Sequence, residues 1–145
     1  MPTLGKIAVT TVNDKGKGVF EPDLDVTATQ LDPKATIRRI FSASQVPIPG
    51  IKFNDADEVP SIANKQGAEF VLSELQPGSV SPMHATPSVD FGVILSGEVA
   101  LVLDSGEEKI LRAGDVYVQK STSHRWENRG TEVVTLVVVL VSARP

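Results

Sequence analysis

Short apolar segments alternate with turn residues through the second half of the chain. These segments are five to nine residues long, are rich in Val, Ile and Leu, and recur about every ten residues between glycine-containing turns. Such spacing is typical of an all-β sandwich or barrel. No window of twelve or more residues shows a convincing apolar period of 3.6 residues. The pattern predicts strands at AEFVLSEL, DFGVILSG, EVALVLD, KILRAGD, VYVQK, HRWENRG and EVVTLVVVLVS.

The first half of the chain is less regular. KIAVTTV predicts a strand, NDKGKG a turn and EPDLDVTATQLDP an irregular connection. TIRRIFSA and GIKFND are two short strand candidates on either side of SQVPIPG, whose prolines and glycine forbid a regular element. DADEVPSIANKQ predicts one short helical turn. We expect residues 1–35 to form an N-terminal strand or arm on the barrel or on a partner subunit, and residues 36–145 to form the barrel.

The last predicted strand is apolar at nearly every position from Val133 to Val141. Both of its faces are therefore expected to be buried. A small barrel covers only one face of a strand, so a partner subunit or a second sheet of the same chain must cover the other. We favour a homodimer, and the alternative is that two sheets of one chain bury the strand.

Composition excludes several classes of function. The 145-residue chain suits a single domain, and its apolar fraction of 41% is enough for a soluble globular core. A net charge of −4 and the lack of a basic run longer than Arg38-Arg39 argue against nucleic acid as a partner. The absence of cysteine excludes disulfides and iron–sulfur clusters. The chain shows no signal peptide, and its longest apolar run is too short to cross a membrane, so we expect a cytoplasmic protein.

The only two histidines, His84 and His124, each lie beside a glycine-containing turn. A lone histidine in an apolar strand is usually structural, but these two belong to a longer pattern. The first part of this pattern is the spacing of Gly78, His84, Thr86, Asp90 and Gly97. The second part is the segment GDVYVQKSTSHRWEN. Together they resemble the two motifs of the cupin superfamily, G-x5-H-x-H-x3–4-E-x6-G and G-x5-P-x-G-x2-H-x3-N. The resemblance covers about residues 68–141 and implies a single antiparallel β-barrel, or jelly roll, of the cupin type.

The departures from the cupin motifs bear on metal binding. Cupins that bind a metal usually offer three histidines and a glutamate, whereas this sequence has Thr86 and Asp90 at two of these positions. The remaining set of His84, Asp90 and His124 has the composition of a two-histidine, one-carboxylate site for ferrous iron. Aspartate is one methylene shorter than glutamate, and threonine is a poor ligand. The resemblance therefore leaves two alternatives: no cofactor, or one divalent Fe, Mn, Zn or Ni ion.

The same residues are suited to proton transfer without a metal. Strand periodicity places His84 and Thr86 on one face, which the resemblance makes the barrel interior. His84 and His124 would then be an acid–base pair, with Asp90 orienting one imidazole and Thr86 donating a hydrogen bond. Such a set could abstract a proton beside a carbonyl and expel a hydroxyl or a carboxylate.

Further candidates for substrate binding follow from the alternation of side chains along each predicted strand. Trp126 is two residues from His124, so both side chains lie on one face of the strand, and Trp126 could form a wall for a planar substrate. An inward-pointing Arg38 could clamp a substrate carboxylate. The full set of candidate substrate-binding residues is Trp126, Tyr117, Gln119, Ser88 and Arg38.

Two segments, HATPSVD and TSHRWEN, are similar to a subgroup of small single-domain cupins found in bacteria and in fungal polyketide gene clusters. This resemblance implies a small-molecule enzyme of secondary metabolism. We favour a lyase or isomerase step, such as dehydration or decarboxylation with proton transfer, on a small oxygenated substrate. The alternatives are a metal-dependent oxidoreductase or dioxygenase, and a ligand-binding cupin without catalysis.

Overall fold

All regular structure in the computed structural model is β-strand. The structure describes residues 5–54 and 66–145, and within these ranges it contains no α-helix. It also contains no helix there that is long and apolar enough to span a membrane. The all-β prediction is confirmed. The predicted helical turn in DADEVPSIANKQ lies outside the described residues, apart from Gln66 at its end.

The strands of the second half lie where the hydrophobic pattern predicts them. In chain order the described strands are β1 (Ile7–Val12), β2 (Gly18–Phe20), β3 (Thr29–Asp32), β4 (Ala35–Ile37), β5 (Ala68–Leu75), β6 (Ser88–Ser96), β7 (Glu98–Leu103), β8 (Glu108–Arg112), β9 (Val116–Lys120), β10 (His124–Glu127) and β11 (Val134–Ser142). β1 confirms the strand predicted in KIAVTTV. Every strand from β5 to β11 overlaps a predicted segment.

The first half differs from the prediction in four places. β2 and β3 occur where a turn and an irregular connection were expected. TIRRIFSA contributes only the end of β4, and the described part of GIKFND is not a strand. The side chains of β3 and β4 are mostly exposed. Because no core cluster of residues 5–54 and 66–145 includes this hairpin, its sequence carries no apolar alternation from which it could be predicted.

Two main sheets face each other. One has six strands in the order β2-β1-β9-β6-β11-β5, and the other has three strands in the order β10-β7-β8. β3 and β4 form a separate hairpin. The pairing is antiparallel as predicted, except that β1 runs parallel to β9, with Ile7 opposite Val116 and Thr10 opposite Gln119. The N-terminal strand is thus part of the main sheet.

Of the two core clusters in the described residues, one lies between the two sheets and follows the alternation of each strand, and the other includes Val9, Val89 and Val118 of the six-stranded sheet. On β11, Val134, Leu136, Val138 and Leu140 are buried, and the residues between them are half-buried. Within the described residues, only one face of this strand is therefore fully covered, whereas the sequence predicted burial on both, with a partner subunit or a second sheet on the other face. The buried face packs against residues of the smaller sheet such as Leu101.

Two motif glycines form turns that position the strands of the interior. Gly97 connects β6 to β7 with φ +82°, and Gly114 precedes β9 with φ +89°. This left-handed region is open to glycine at little steric cost. The glycine spacing of the sequence motif therefore reflects the tight turns on either side of the site-bearing strands.

Candidate active site

A cavity of about 320 Å³ opens between the two sheets. Its walls are mostly apolar, and its polar groups are two histidines, one carboxylate and three hydroxyl groups. The lining residues are Ser73, Leu75, Pro82, His84, Thr86, Asp90, Tyr117, His124, Trp126, Leu136, Val138 and Leu140. All four residues predicted to be catalytic, His84, His124, Asp90 and Thr86, thus line one cavity.

His84 and His124 are directly opposite each other across a short antiparallel bridge. The backbone N–H of each donates to the carbonyl oxygen of the other, both at 2.9 Å. Residues in such a pair project their side chains to the same side of the ladder. The two imidazole rings consequently lie 4.4 Å apart between centroids, tilted by 50°.

The backbone fixes which nitrogen of each imidazole carries a proton. His84 Nδ1 lies 2.8 Å from the carbonyl oxygen of Pro82, and His124 Nδ1 lies 2.8 Å from that of Thr122. A carbonyl oxygen only accepts, so each Nδ1–H donates and each neutral ring keeps a lone pair on Nε2. Each bond reaches back two residues along the chain. In its neutral form, each of the two neighbouring imidazoles therefore carries its proton on Nδ1.

His124 remains neutral at ordinary pH. Burial and, to a smaller extent, the nearby His84 lower its pKa to about 3, and the hydrogen bond to the Thr122 carbonyl only partly opposes these effects. A neutral imidazole of this kind accepts hydrogen bonds through Nε2. It does not serve as a ready proton donor near pH 7.

The pKa of Asp90 is shifted in the opposite direction. Its side chain is buried, and burial raises its pKa to about 7, although the hydrogen bond from Ser88 lowers it in part. Burial and the Asp90 charge together raise the pKa of Tyr117, so its phenol stays protonated. A carboxyl that titrates near neutrality in a cavity is a candidate for proton transfer. The structure thus favours Asp90 over His124 as the proton-carrying group.

Asp90 ends a chain of three side chains on alternate residues. The Ser88 hydroxyl donates to Asp90 Oδ1 at 2.6 Å, and the Thr86 and Ser88 hydroxyl oxygens lie 2.7 Å apart. Ser88 has no exposed surface. It was predicted to bind substrate, but the structure places it behind the cavity wall, between Thr86 and Asp90.

The remaining predicted substrate-binding residues lie in different places. Trp126 and Tyr117 line the cavity with their ring centroids 5.0 Å apart. Gln119 is opposite Asp90 in the β6–β9 register and is buried, and neither atom of its amide has a hydrogen-bond partner in the described part of the chain.

Arg38 lies on the other side of the main sheet. It borders a separate pocket together with Phe41 and Phe91, whereas the cavity faces the sheet interior. The physical reason is that the chain leaves the β3–β4 hairpin at Ile37 and then crosses the outer face of the sheet. Strand parity therefore could not place Arg38.

Sequence reasoning missed the apolar wall of the cavity. It is formed by alternate positions of β5 and β11, namely Ser73, Leu75, Leu136, Val138 and Leu140. Parity along AEFVLSEL and EVVTLVVVLVS groups these residues on one face of each strand. The β5–β11 register, which aligns Ser73 with Leu136, was not available from the sequence.

The described residues do not form the predicted metal-ligand set. Within residues 5–54 and 66–145, no three His, Cys, Asp or Glu side chains are grouped so that they could hold one ion. His84 and His124 are paired with each other, whereas Asp90 is hydrogen-bonded to Ser88. This geometry does not fit a two-histidine, one-carboxylate centre.

Comparison with known proteins shows the family. The family model of the Cupin domain (Cupin_2) matches residues 71–140. The cupin-domain-containing oxidoreductase virC of Hypocrea virens is 33% identical over 147 residues, which cover 94% of this chain and 75% of the relative. The chain belongs to the cupin family, as its two motifs suggest.

Two further similarities bear on the setting and on the fold. Phomopsin biosynthesis cluster protein C' of Diaporthe leptostromiformis is 46% identical over 87 residues, which cover 59% of this chain and 46% of the relative. The chain thus spans about half the length of that relative. A conserved double-stranded β-helix protein of Klebsiella pneumoniae is 23% identical, with a TM-score of 0.50 over 58% of this chain and 70% of the other. The last likeness supports the fold alone.

Proposed function

We propose that the protein is a small-molecule enzyme of secondary metabolism that moves a proton on its substrate, in an isomerisation or a dehydration. The observation that carries this proposal is the buried Asp90 carboxyl, which lines the cavity and has a pKa of about 7. A carboxyl with a pKa near ambient pH can both accept and release a proton during turnover. The name of the phomopsin cluster relative supports the metabolic setting.

The cavity favours a compact substrate. Its volume of about 320 Å³ is at the lower end of the range for small-molecule sites. Leu75, Leu136, Val138 and Leu140 supply apolar walls, and Trp126 adds an aromatic surface. These residues would hold a small, largely apolar molecule with one or two oxygen atoms directed at the polar groups.

The charge of the lining favours a neutral substrate. In the described part of the chain, no Arg or Lys lines the cavity, and Arg38 lies on the opposite face of the sheet. A substrate carboxylate would be buried there without a partner, at a cost in free energy. Isomerisation and dehydration are thus favoured over decarboxylation, which needs such a carboxylate.

Each polar group has a role in this proposal. The Asp90 carboxylate removes a proton from the carbon beside a carbonyl and, once protonated, returns it to another substrate atom. In a dehydration that atom is the leaving hydroxyl oxygen, so a C–H and a C–O bond break, a C=C bond forms and water leaves. His84 and His124 accept hydrogen bonds from substrate hydroxyls through Nε2 and orient the molecule.

Deuterium exchange tests the proposed function. The protein would be incubated in D₂O with a panel of neutral ketones and β-hydroxy ketones, and carbon-bound deuterium and alkene products would be followed by NMR. We expect catalysis by the wild-type protein, loss in Asp90→Asn and retention in Asp23→Asn, a change at an exposed aspartate. Saturable binding without exchange or product would instead show a non-catalytic binding protein.

A metal-dependent oxidoreductase is the second candidate, favoured by the name of the Hypocrea virens relative. Metal content distinguishes it from the first. Fe, Mn, Zn and Ni would be quantified per chain in the wild-type protein and in His84→Ala and His124→Ala. We expect proton-transfer activity to survive chelation. One metal per chain, lost in both variants and required for turnover, would overturn the proton-transfer proposal.

A further inference from the structure

We infer that Thr86, Ser88 and Asp90 form a proton relay whose two ends contact one bound substrate. The inference deepens the proposed function and rests on it, because it needs a substrate in the cavity. It assigns a reaction class: transfer of a proton between an oxygen and a carbon of the same molecule.

The relay begins and ends at the same cavity. Thr86 and Asp90 both line it, whereas Ser88 between them has no exposed surface. The two oxygen–oxygen distances of 2.7 and 2.6 Å are those of good O–H···O hydrogen bonds. Because Ser88 is sealed from the cavity, it cannot contact substrate. Its hydroxyl can only pass a proton between the other two groups.

The observed donor direction sets the direction of transfer. The Ser88 hydroxyl donates to Asp90 Oδ1, so Thr86 is left to donate to Ser88 and to accept from the substrate. The Thr86 backbone is held in turn, because the Ser121 hydroxyl donates to the Thr86 carbonyl oxygen at 2.7 Å. A substrate hydroxyl at Thr86 therefore starts the chain. The other carboxyl oxygen of Asp90, Oδ2, ends it.

The step balances without an oxidant or a co-reactant. The substrate O–H bond breaks as its proton passes to Thr86, the Thr86 proton passes to Ser88, and the Ser88 proton passes to Asp90 Oδ1. The proton carried by Oδ2 forms the new C–H bond, and the electron pairs of the substrate shift so that an enol becomes a ketone. The protein ends with the carboxyl proton on Oδ1 instead of Oδ2 and with both hydroxyl protons reversed, so rotation of the carboxyl group and of the Ser88 and Thr86 hydroxyls restores the starting state.

The short path defines the substrate class. The two ends are only two hydrogen bonds apart, so they can serve an oxygen and a carbon on either side of one C=C bond. The enol of a neutral β-dicarbonyl compound has this arrangement. His84 and His124, which are outside the relay, remain free to bind a second substrate oxygen.

Ketonisation of the enol of acetylacetone tests the relay. Its rate would be measured for the wild-type protein, Ser88→Ala and Asp90→Asn. Ser142→Ala is the matched control, because Ser142 lies opposite Ser88 in the β6–β11 register, is equally buried and has no hydrogen-bond partner for its hydroxyl in the described part of the chain. We expect Ser88→Ala to lower the rate by roughly two orders of magnitude. Ser142→Ala should keep the wild-type rate.

The outcomes separate the relay from the proposed function. A rate that is lost in Asp90→Asn but unchanged in Ser88→Ala would overturn the relay and leave the proposed function standing. A wild-type protein that does not accelerate ketonisation would overturn the proposed function.

Infrared spectra decide the relay without any substrate. The carboxyl band of ¹³C-labelled Asp90 should shift in Ser88→Ala and, to a smaller extent, in Thr86→Val, because hydrogen bonds in a chain polarise one another. It should not shift in Ser142→Ala. An unchanged band in Thr86→Val would show that Thr86 is not coupled to Asp90 and would overturn the relay.

Discussion

Burial of the Asp90 carboxyl makes the stability of the fold depend on pH. Its pKa is raised from 3.8 to about 7, so between these values the folded state binds more protons than the unfolded state. The contribution of Asp90 to stability is therefore fully present below the unfolded pKa and is lost as pH rises through the folded pKa. Tyr117 and His124 share the cavity with Asp90, and neither the Tyr117 phenol nor the neutral His124 ring supplies a cation near pH 7.

Replacing Asp90 by asparagine should remove this pH dependence. Asparagine stays neutral, so we expect Asp90→Asn to raise the free energy of unfolding at pH 8 by about 1–3 kcal/mol, with little change at pH 4. Chemical denaturation at the two pH values measures this. Asp23→Asn, at an exposed site, should show no difference between them. Equal effects of Asp90→Asn at both pH values would contradict the burial argument.

The tautomer of His124 is a second prediction at the residue scale. Its lowered pKa and the Thr122 carbonyl keep the ring neutral with the proton on Nδ1. We expect ¹⁵N NMR to show this tautomer unchanged between pH 5 and pH 8. The contribution of His124 to stability should rise with pH through the window from about 3 to the ordinary pKa of 6.5. A His124 ring that titrates near pH 6.5 would contradict the structure.

Much of the site was predictable at this scale, because the residue types and their spacing stand in the sequence. The alternation from His84 to Asp90 brought these side chains to one cavity. The division of roles was not predictable: it depends on backbone carbonyls at Pro82 and Thr122 and on the depth of burial. These are properties of the folded backbone that side-chain identity does not encode.

At the scale of elements, the pairing of β6 with β9 shapes the cavity wall. Gly92 is opposite Tyr117, and a Cβ at Gly92 would lie 2.1 Å from the Tyr117 ring. The ring therefore packs directly over the glycine. The position of the Tyr117 ring against Trp126 therefore depends on residue 92 being a glycine.

Gly92→Ala should displace Tyr117 and destabilise the fold. Overpacking of this kind typically costs about 1–3 kcal/mol, and the cavity should lose the aromatic pair of Tyr117 and Trp126. Gly130→Ala is the matched control, since a Cβ there meets only Asn128 Oδ1 at 3.5 Å. Thermal unfolding of both variants tests the prediction. A Gly92→Ala protein as stable as Gly130→Ala would show that the Tyr117 ring is not held against the glycine.

Element prediction succeeded where a strand has a core to pack against. The strands from β5 to β11 alternate between the interior and the outer face, and that alternation stands in the sequence. The β3–β4 hairpin buries almost nothing, and the parallel pairing of β1 with β9 joins distant segments. Neither feature leaves a periodic signal in the local sequence.

At the scale of the whole molecule, the outer face of the six-stranded sheet is apolar and partly uncovered. Val139 lies between Phe70 and Phe91 in the cross-strand register. Phe70 is 78% exposed and Leu72 62% exposed, both on β5 at the edge of the sheet. A long apolar edge strand of this kind invites pairing with another chain.

We propose that a second copy of the chain covers this face. A second copy has the same free edge strand and the same apolar surface. One two-fold interface can therefore pair the two edge strands and bury the two apolar surfaces. Leu72→Glu should shift the protein from dimer to monomer in analytical ultracentrifugation. Leu31→Glu is the control, because Leu31 is equally exposed but lies on the β3–β4 hairpin. A wild-type monomer, or a dimer lost only in Leu31→Glu, would contradict this assignment.

The most direct test of the central claim is the titration of Asp90 itself. The side-chain carboxyl carbon of Asp90 would be followed by ¹³C NMR from pH 3 to pH 9 in the wild-type protein, with Asp90→Asn used to assign the signal. The structure predicts a midpoint near 7, the value at which this carboxyl can exchange protons with a substrate in the cavity. A midpoint near 4 would mean that Asp90 is an ordinary ionised carboxylate, and it would contradict the proton-transfer account.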